Sequence, residues 1–205
     1  MKEQTFLQEN LLKKIIRNLS ILILISFFIS SKVYSKEKWL IDKEVSKISF
    51  EVPVLFATNV IGSFKKINGF VEIDLEDKKN NKAVLSVVIN SVESNYEKYR
   101  DLFLSPIFFD VLRYPIAVLD TKKFSYQNEK EIELDIELTL KGISKIIKTK
   151  LKINRLTNDL VQILGTLELS RTEFNIGSDK WSNTTILKDK IKINSNIFLV
   201  KESIE

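Results

Sequence analysis

From Lys36 onward, apolar and polar residues alternate along most of the chain. In the longest run, every second residue from Ile132 to Leu140 is apolar, and the residues between them are acidic or threonine. Because successive side chains of a β-strand point to opposite faces, this period of two is typical of a strand with one buried face. The alternation therefore predicts a mainly β protein.

The number and spacing of these runs narrow the architecture. Polar turns separate them, which predicts about eight antiparallel strands in either a sandwich or a closed barrel. Over residues 95–112 the period changes to that of helices, and Ser105-Pro106 has the pattern of a helix start, so we expect two short helices there. The other alternating runs are residues 48–54, 71–75, 85–89, 147–153, 161–169 and 191–193.

Composition excludes several classes of function. The chain has no Cys and no His, which removes thiolate nucleophiles, His-based metal sites and Ser-His-Asp triads. Its five Gly residues form no phosphate-binding loop of the GxGxxG or GxxxxGK type. Composition therefore favours a binding protein over an enzyme, with no cofactor and no metal.

The first 35 residues have the pattern of an export signal. Lys13, Lys14 and Arg17 precede an apolar run from Leu19 to Ile29, and residues 33–35 resemble a signal peptidase site. The apolar run is shorter than the roughly 20 residues that span a bilayer. We predict a cleaved signal peptide at 1–35, a single domain at 36–205 and a periplasmic location.

Charge gives no indication of a nucleic-acid partner. The net charge is +5, but five of the 32 basic and two of the 27 acidic residues lie in the first 35 positions. The rest of the chain is nearly balanced, with both signs interspersed along the strands. Nucleic-acid binding requires a basic face, so we predict no nucleic-acid partner.

The order of specific residues resembles a known family, the YceI-like family, over residues 39–200. The longest matching stretch, RDLFLSPIFFD at 100–110 followed by Tyr114-Pro115, is hard to match by chance. Two valines, Val45 and Val54, stand where relatives commonly have His, so any role of those His residues is absent here. The other matching segments are 39–42 (WLID), 46–52, 60–64, 69–74, 91–94, 138–145 (LTLKGISK) and 171–177 (RTEFNIG).

The resemblance implies an extended, eight-stranded, lipocalin-like antiparallel barrel that holds a long isoprenoid or similar lipid. Members are periplasmic or secreted, with stress-linked roles suggested and no settled enzymatic activity. The implied ligand is a non-covalent polyisoprenoid, quinone or fatty lipid. Transient contact with a membrane surface and homodimerisation are compatible with this picture.

The strand faces give candidate lining residues, although alternation alone does not distinguish a hollow tunnel from a packed core. Arg171 falls on the aliphatic face of its strand and is the candidate for a lipid head group, while the competing interpretation is an ion pair with Glu173, Asp101 or Asp110. Trp181 either covers the end of the barrel or packs between loop and sheet. The candidate lining residues are Phe64, Val71, Ile73, Leu85, Val87, Ile89, Ile132, Leu134, Ile136 and Leu138, with Phe174 near the mouth.

Two other functions remain open from the sequence. In the first, the barrel is solid and serves as an interaction module for a protein partner. In the second, a carboxylate such as Asp101 or Glu173 acts as general acid or base on a bound lipid. Neither has a diagnostic motif, and lipid binding is the function that the sequence favours.

Overall fold

The computed structural model describes residues 36–55 and 58–203, and the predicted signal peptide at 1–35 lies outside them. The described chain forms one continuous antiparallel sheet. Its strands are β1 (Lys36–Ile41), β2 (Lys47–Val52), β3 (Val60–Phe64), β4 (Ile67–Asp74), β5 (Lys82–Val88), β6 (Val92–Ser94), β7 (Ile116–Asp120), β8 (Glu131–Leu140), β9 (Ile143–Arg155), β10 (Leu160–Ser170) and β11 (Lys190–Lys201).

The first six segments are three strands, each interrupted once. Both β1 and β2 pair with β11, so that Ile41 lies opposite Leu199 and Ile48 lies opposite Ser195. The second interrupted strand consists of β3 and β4, and it pairs with the first through β4 with β1 and β3 with β2. The third consists of β5 and β6, and it pairs with the second through β5 with β4 and β6 with β3. The eleven segments therefore make eight strands.

Pairing of β1 with β11 closes these eight strands into a barrel. The predicted eight-stranded antiparallel barrel is thus confirmed. Neighbouring strands follow one another along the chain from β7 to β11, as short connections require. The tightest connection, Lys141-Gly142 between β8 and β9, has positive φ at both residues (50° and 75°), as a two-residue type I′ turn requires.

The prediction of two helices within residues 95–112 is corrected. One short α-helix, α1 (Arg100–Leu104), follows a 3₁₀ turn at Glu97–Tyr99. The segment that starts at Ser105-Pro106 forms turns instead of a second helix. Asp110 within it has a φ of 51°, a left-handed conformation that a right-handed helix cannot contain.

The segment with α1 fills one end of the barrel with aromatic rings. Phe103 of α1 lies 5.4 Å from Phe50 of β2 and 5.9 Å from Phe108, centroid to centroid. Phe109 contacts both Phe50 and Phe64, at 6.1 and 5.8 Å. We call these five rings the phenylalanine cluster. All five side chains are buried, so this end of the barrel is a packed core.

Truncation within the phenylalanine cluster tests whether this end carries the stability of the fold. Phe103→Ala is expected to lower the free energy of unfolding by about 3–5 kcal/mol, the usual cost of removing a buried ring. Leu112→Ala is the control, because Leu112 is 93% exposed, and it should cost less than about 0.5 kcal/mol. Urea titration measures both, and similar losses for the two variants would contradict the assignment.

Candidate functional site

An apolar cavity of about 260 Å³ runs inside the barrel. This volume is roughly twenty times the ~10–15 Å³ that a single water molecule needs, so the space is more than a packing defect. Its wall is formed by the inward faces of the strands and, at one end, by the phenylalanine cluster and Trp181. The inward aliphatic face therefore encloses a hollow space along part of its length.

Most of the candidate lining residues border this cavity. Alternation assigned them to the inward face; all are buried except Val71, Leu85 and Ile136, which are half-buried. Whether they bind a ligand stays a prediction. Those that line the cavity are Phe64, Val71, Leu85, Val87, Ile89, Leu134, Ile136 and Leu138.

Three candidates, Ile73, Ile132 and Phe174, are not among the lining residues. Ile73 and Ile132 lie at strand ends, next to Asp74 and Glu131, on the side of the barrel away from the phenylalanine cluster. Phe174 lies in a 3₁₀ turn after β10 and is 1% exposed. Alternation assigns a face correctly but does not say how far along a strand the cavity extends.

The sequence did not select the part of the wall formed by β2, β10, β11 and the rings of Phe103, Phe108 and Phe109. The strand residues were recognisable, because they continue the alternation already seen in those strands. Phe103, Phe108 and Phe109 had no such signal, since they come from a segment without strand periodicity. The additional strand residues of the wall include Ile48, Phe50, Val52, Ile163, Leu167, Leu169, Ile191 and Ile193.

Arg171 follows β10 and is 0% exposed. All five of its N–H groups donate to backbone carbonyls: Nε to Lys188 (3.0 Å), Nη1 to Ile176 and Gly177 (2.8 and 3.1 Å), and Nη2 to Trp181 and Leu187 (both 2.8 Å). A guanidinium has only five donors. Contrary to the expectation from the sequence, none is left for a lipid head group.

The three carboxylates considered as ion-pair partners of Arg171 pair with other cations instead. Glu173 pairs with Lys145 at 3.4 Å, Asp101 with Arg100 at 3.9 Å, and Asp110 with Arg113 at 3.9 Å. Burial lowers the pKa of Arg171, whereas the nearby charge of Asp189 raises it. The buried cation is therefore solvated by peptide dipoles and balanced by a carboxylate that the sequence did not indicate.

The loop of residues 176–188 takes its shape from these bonds. Gly177 has a φ of 75°, and a Cβ there would lie 2.6 Å from Nη1 of Arg171, so only glycine fits. The N–H of Gly177 also donates to the carbonyl of Ile107 at 2.9 Å. Arg171 thus links the end of β10 to this loop, and the loop to the segment with the phenylalanine cluster.

Lys141 adds a second cationic link at the same end. Its Nζ donates to the carbonyls of Pro106 (2.8 Å) and Asn175 (2.7 Å). Burial lowers the pKa of Lys141, and the charge of Asp110 opposes this shift. The end of the barrel that holds Arg171, Lys141 and the phenylalanine cluster is called the Arg171 end below.

Asp189 balances the charge of Arg171 through a compact set of bonds. Its Oδ1 accepts from Thr172 Oγ1 (2.7 Å), Ser170 Oγ (3.0 Å) and the Thr172 N–H (3.1 Å). Burial acts to raise the pKa of Asp189, but these hydrogen bonds and the charge of Arg171 outweigh it and lower the pKa below its ordinary value. The ionised carboxylate therefore stabilises the fold.

Among the residues that the structure describes, no Asp or Glu lines the cavity. Asp101 and Glu173 have side chains that are 96% and 55% exposed, and neither lines the cavity. Within residues 36–55 and 58–203, no group of three or more acidic side chains is placed to hold a metal ion. In that same part of the chain, no helix combines the length and apolarity needed to cross a membrane.

Replacing Arg171 tests its structural role. Arg171→Lys keeps the charge but has at most three donors for five carbonyls, so the free energy of unfolding should fall by about 3–5 kcal/mol, as when a buried charge loses its partners. Arg155→Lys, on an exposed side chain, is the matched control and should change it by less than about 0.5 kcal/mol. Guanidinium titration decides, and an Arg171→Lys variant as stable as the control would contradict the role.

Asp189→Asn tests the charge separately, because the amide oxygen can still accept the same hydrogen bonds. Since the pKa of Asp189 is lowered in the fold, its stabilisation is present above the unfolded value of about 3.9 and is lost as pH falls through the folded value. The variant should therefore be less stable than the wild type at pH 7, and this difference in stability should shrink at an acidic pH below about 3.9. Urea midpoints at both pH values measure this, and a gap independent of pH would refute it.

Comparison with known proteins agrees with this geometry. The YceI-like domain model matches residues 39–199. Protein YceI of Salmonella newport is 24% identical over 118 residues, which is 57% of this chain. The chain covers 61% of that relative's length.

Solved structures share the fold at low sequence identity. BcnA of Burkholderia cenocepacia has a TM-score of 0.70 at 22% identity, covering 77% of this chain and 98% of that one. A polyisoprenoid-binding domain from Saccharophagus degradans, implicated in plant cell wall breakdown, has a TM-score of 0.66 at 15% identity, covering 80% and 98%. The family match spans well over half of the sequence, and the chain belongs to the YceI-like domain family.

Proposed function

We propose that this protein binds a long-chain isoprenoid or a similar amphiphilic lipid inside its barrel, and that it is a binding protein and not an enzyme. The observation that carries the proposal is the cavity of about 260 Å³, whose wall is almost entirely aliphatic and aromatic. The similar fold of a polyisoprenoid-binding domain supports the same ligand class. A chain-like apolar molecule is the ligand that such a wall suits.

The free energy for this binding comes from the wall itself. Each CH₂ group moved from water into the cavity contributes about 0.8 kcal/mol. A chain of ten such groups would therefore contribute about 8 kcal/mol before the costs of ordering and association. These costs are large, so only a chain that fills most of the cavity binds tightly.

Charge recognition contributes little inside the barrel. Arg171 is the charged residue of the wall, and its donors are all taken by carbonyls. Among the described residues, the cavity therefore offers a phosphate head group no free cation to pair with. Selection among lipids rests on the apolar chain, with any charged head group left at the barrel surface.

The proposal includes export to the periplasm. Residues 1–35 have the charged region, apolar run and small residues of an export signal. A periplasmic protein without Cys takes its stability from a packed core and not from disulfides. In that compartment the barrel would sequester or carry a lipid between membrane surfaces.

Mass spectrometry of the protein exported from a bacterial host tests the ligand directly. The native spectrum should exceed the denatured mass by one stoichiometric lipid, and an organic extract should identify its class. A bare polypeptide that also stays bare after incubation with polyprenols, quinones and fatty acids would reject the proposal. It would favour a solid interaction module.

Substitution of a wall residue tests the position of the ligand. Ile136→Asp puts a carboxylate into the apolar wall, so lipid retention should be abolished and stability reduced, because a buried charge without a partner is costly. Glu137→Lys, on the outer face of the same strand, is the control; it replaces a partly exposed pair with Lys122 by a like-charge contact, a change worth about 1 kcal/mol at such a site. Equal lipid occupancy of the two variants in native mass spectra would contradict the inward face.

A further inference from the structure

Two buried polar atoms in residues 36–55 and 58–203 have no hydrogen-bond partner, Thr149 Oγ1 and Trp181 Nε1. Both residues line the cavity. Buried polar groups in folded proteins are nearly always hydrogen-bonded, so each such exception needs an explanation. That both exceptions belong to the wall of one cavity indicates that the cavity's occupant supplies the missing partners.

Thr149 is the more informative of the two atoms. It lies on β9 opposite Leu134 of β8, and the residues two positions away on its own strand are Ile147 and Leu151. The residue as a whole is 7% exposed. Compared with a valine, which has almost the same shape, a threonine at this position lowers the stability of the fold unless its hydroxyl is hydrogen-bonded.

Two other hydroxyl side chains of the wall, those of Thr121 and Ser195, differ from Thr149 in having partners. Thr121 Oγ1 accepts from the Ala83 N–H at 2.9 Å and donates to the Ala83 carbonyl at 3.2 Å. Ser195 Oγ donates to the Gly165 carbonyl at 3.4 Å. These two hydroxyls are hydrogen-bonded to the backbone, whereas that of Thr149 has no partner among the described residues.

A trapped water is a poor partner for Thr149. A buried water needs two to four polar partners, and the nearest residues on β8 and β9 are aliphatic. An oxygen atom carried on an apolar chain needs no second partner, because its other bonds are covalent. Such a chain would fill the cavity and at the same time accept a hydrogen bond from the Thr149 hydroxyl.

The chemistry of Trp181 fixes which type of atom is required. An indole N–H only donates, so its partner must be an acceptor, while a threonine hydroxyl can donate as well. Trp181 packs on Phe108 with centroids 5.9 Å apart, and its carbonyl accepts from Arg171, which places it at the Arg171 end. An acceptor oxygen is therefore the one atom type that suits both positions.

We propose that the cavity selects an apolar chain bearing an acceptor oxygen, such as a ketone, ester or ether, over a pure hydrocarbon, and that the Thr149 hydroxyl is the donor that recognises this oxygen inside the barrel. The inference rests on the proposed lipid-binding function and narrows its ligand class. Thr149 is thus a specificity residue, and Trp181 offers a second donor nearer the Arg171 end.

The test uses two probes of similar shape, the isoprenoid ketone farnesylacetone and the hydrocarbon farnesene. The protein exported from a bacterial host is stripped of lipid and equilibrated with an equimolar mixture of the two probes. Native mass spectra then give the ratio of ketone complex to hydrocarbon complex. In Thr149→Val this ratio should fall about fivefold, the usual effect of one lost hydrogen bond. Farnesene binding alone should not weaken, because valine keeps the shape of the wall.

Two further variants separate the hydroxyl from other effects of substitution. Thr149→Ser keeps the hydroxyl and should keep the wild-type ratio. Thr166→Val removes a hydroxyl from an exposed position on β10, where it bonds Asn194, and should also leave the ratio unchanged. A midpoint of thermal unfolding for Thr149→Val at or above that of the wild type would show that the hydroxyl has no structural role.

The outcomes distinguish this inference from the function on which it rests. If Thr149→Val binds both probes at the wild-type ratio, the specificity role of Thr149 is overturned and lipid binding stands. If the wild-type protein binds neither probe, both proposals fail. A reduced ratio in Thr149→Val, with wild-type ratios in Thr149→Ser and Thr166→Val, supports the assignment.

Discussion

The Arg171 end of the barrel depends on one buried guanidinium. Arg171 carries a full charge at 0% exposure, and five peptide carbonyls replace the water it has lost. Such a cation is tolerated only when every donor is satisfied. The conformation of residues 176–188 is therefore determined by the need to present those carbonyls. Through the bond from Gly177 to Ile107, the same requirement extends to the segment that carries the phenylalanine cluster.

The interrupted strands explain how this barrel has both a packed end and a hollow part. The interrupted strands are formed by β1 with β2, β4 with β3, and β5 with β6. At the Arg171 end, β2 and β3 bring Phe50 and Phe64 against the rings of Phe103 and Phe109. A closed eight-stranded barrel is just wide enough to be filled by side chains or to hold one small ligand. Aromatic rings fill the Arg171 end, whereas shorter aliphatic side chains, Gly165 and Ser195 line the remainder and leave space.

The sequence predicts those features of the structure that depend on a local pattern of residues, and it misses those that depend on contacts between distant parts of the chain. Alternation gave the antiparallel strands and their inward face, because the side-chain period of a strand is local, whereas the choice of a barrel over a sandwich came from the family resemblance. It placed Ile73 and Ile132 on the correct face but beyond the cavity, since the length of a cavity depends on how all eight strands are staggered. It also placed Arg171 inward. Its partners are peptide carbonyls, which every residue type provides, so no residue pattern could identify them and the sequence suggested carboxylates instead.

A hollow apolar barrel also raises a question of stability. Wall atoms beside an empty space lack the dispersion contacts that a packed core would give them, so the fold is less stable than a solid barrel of the same size. A bound chain restores those contacts and stabilises the folded state by linkage, in proportion to the logarithm of its concentration over its dissociation constant. The phenylalanine cluster and the five carbonyls that bind Arg171 hold one end of the cavity wall in place. The rest of the wall therefore need not collapse inward for the fold to be stable. The residues of the Arg171 end therefore stabilise the fold and at the same time close one end of the cavity.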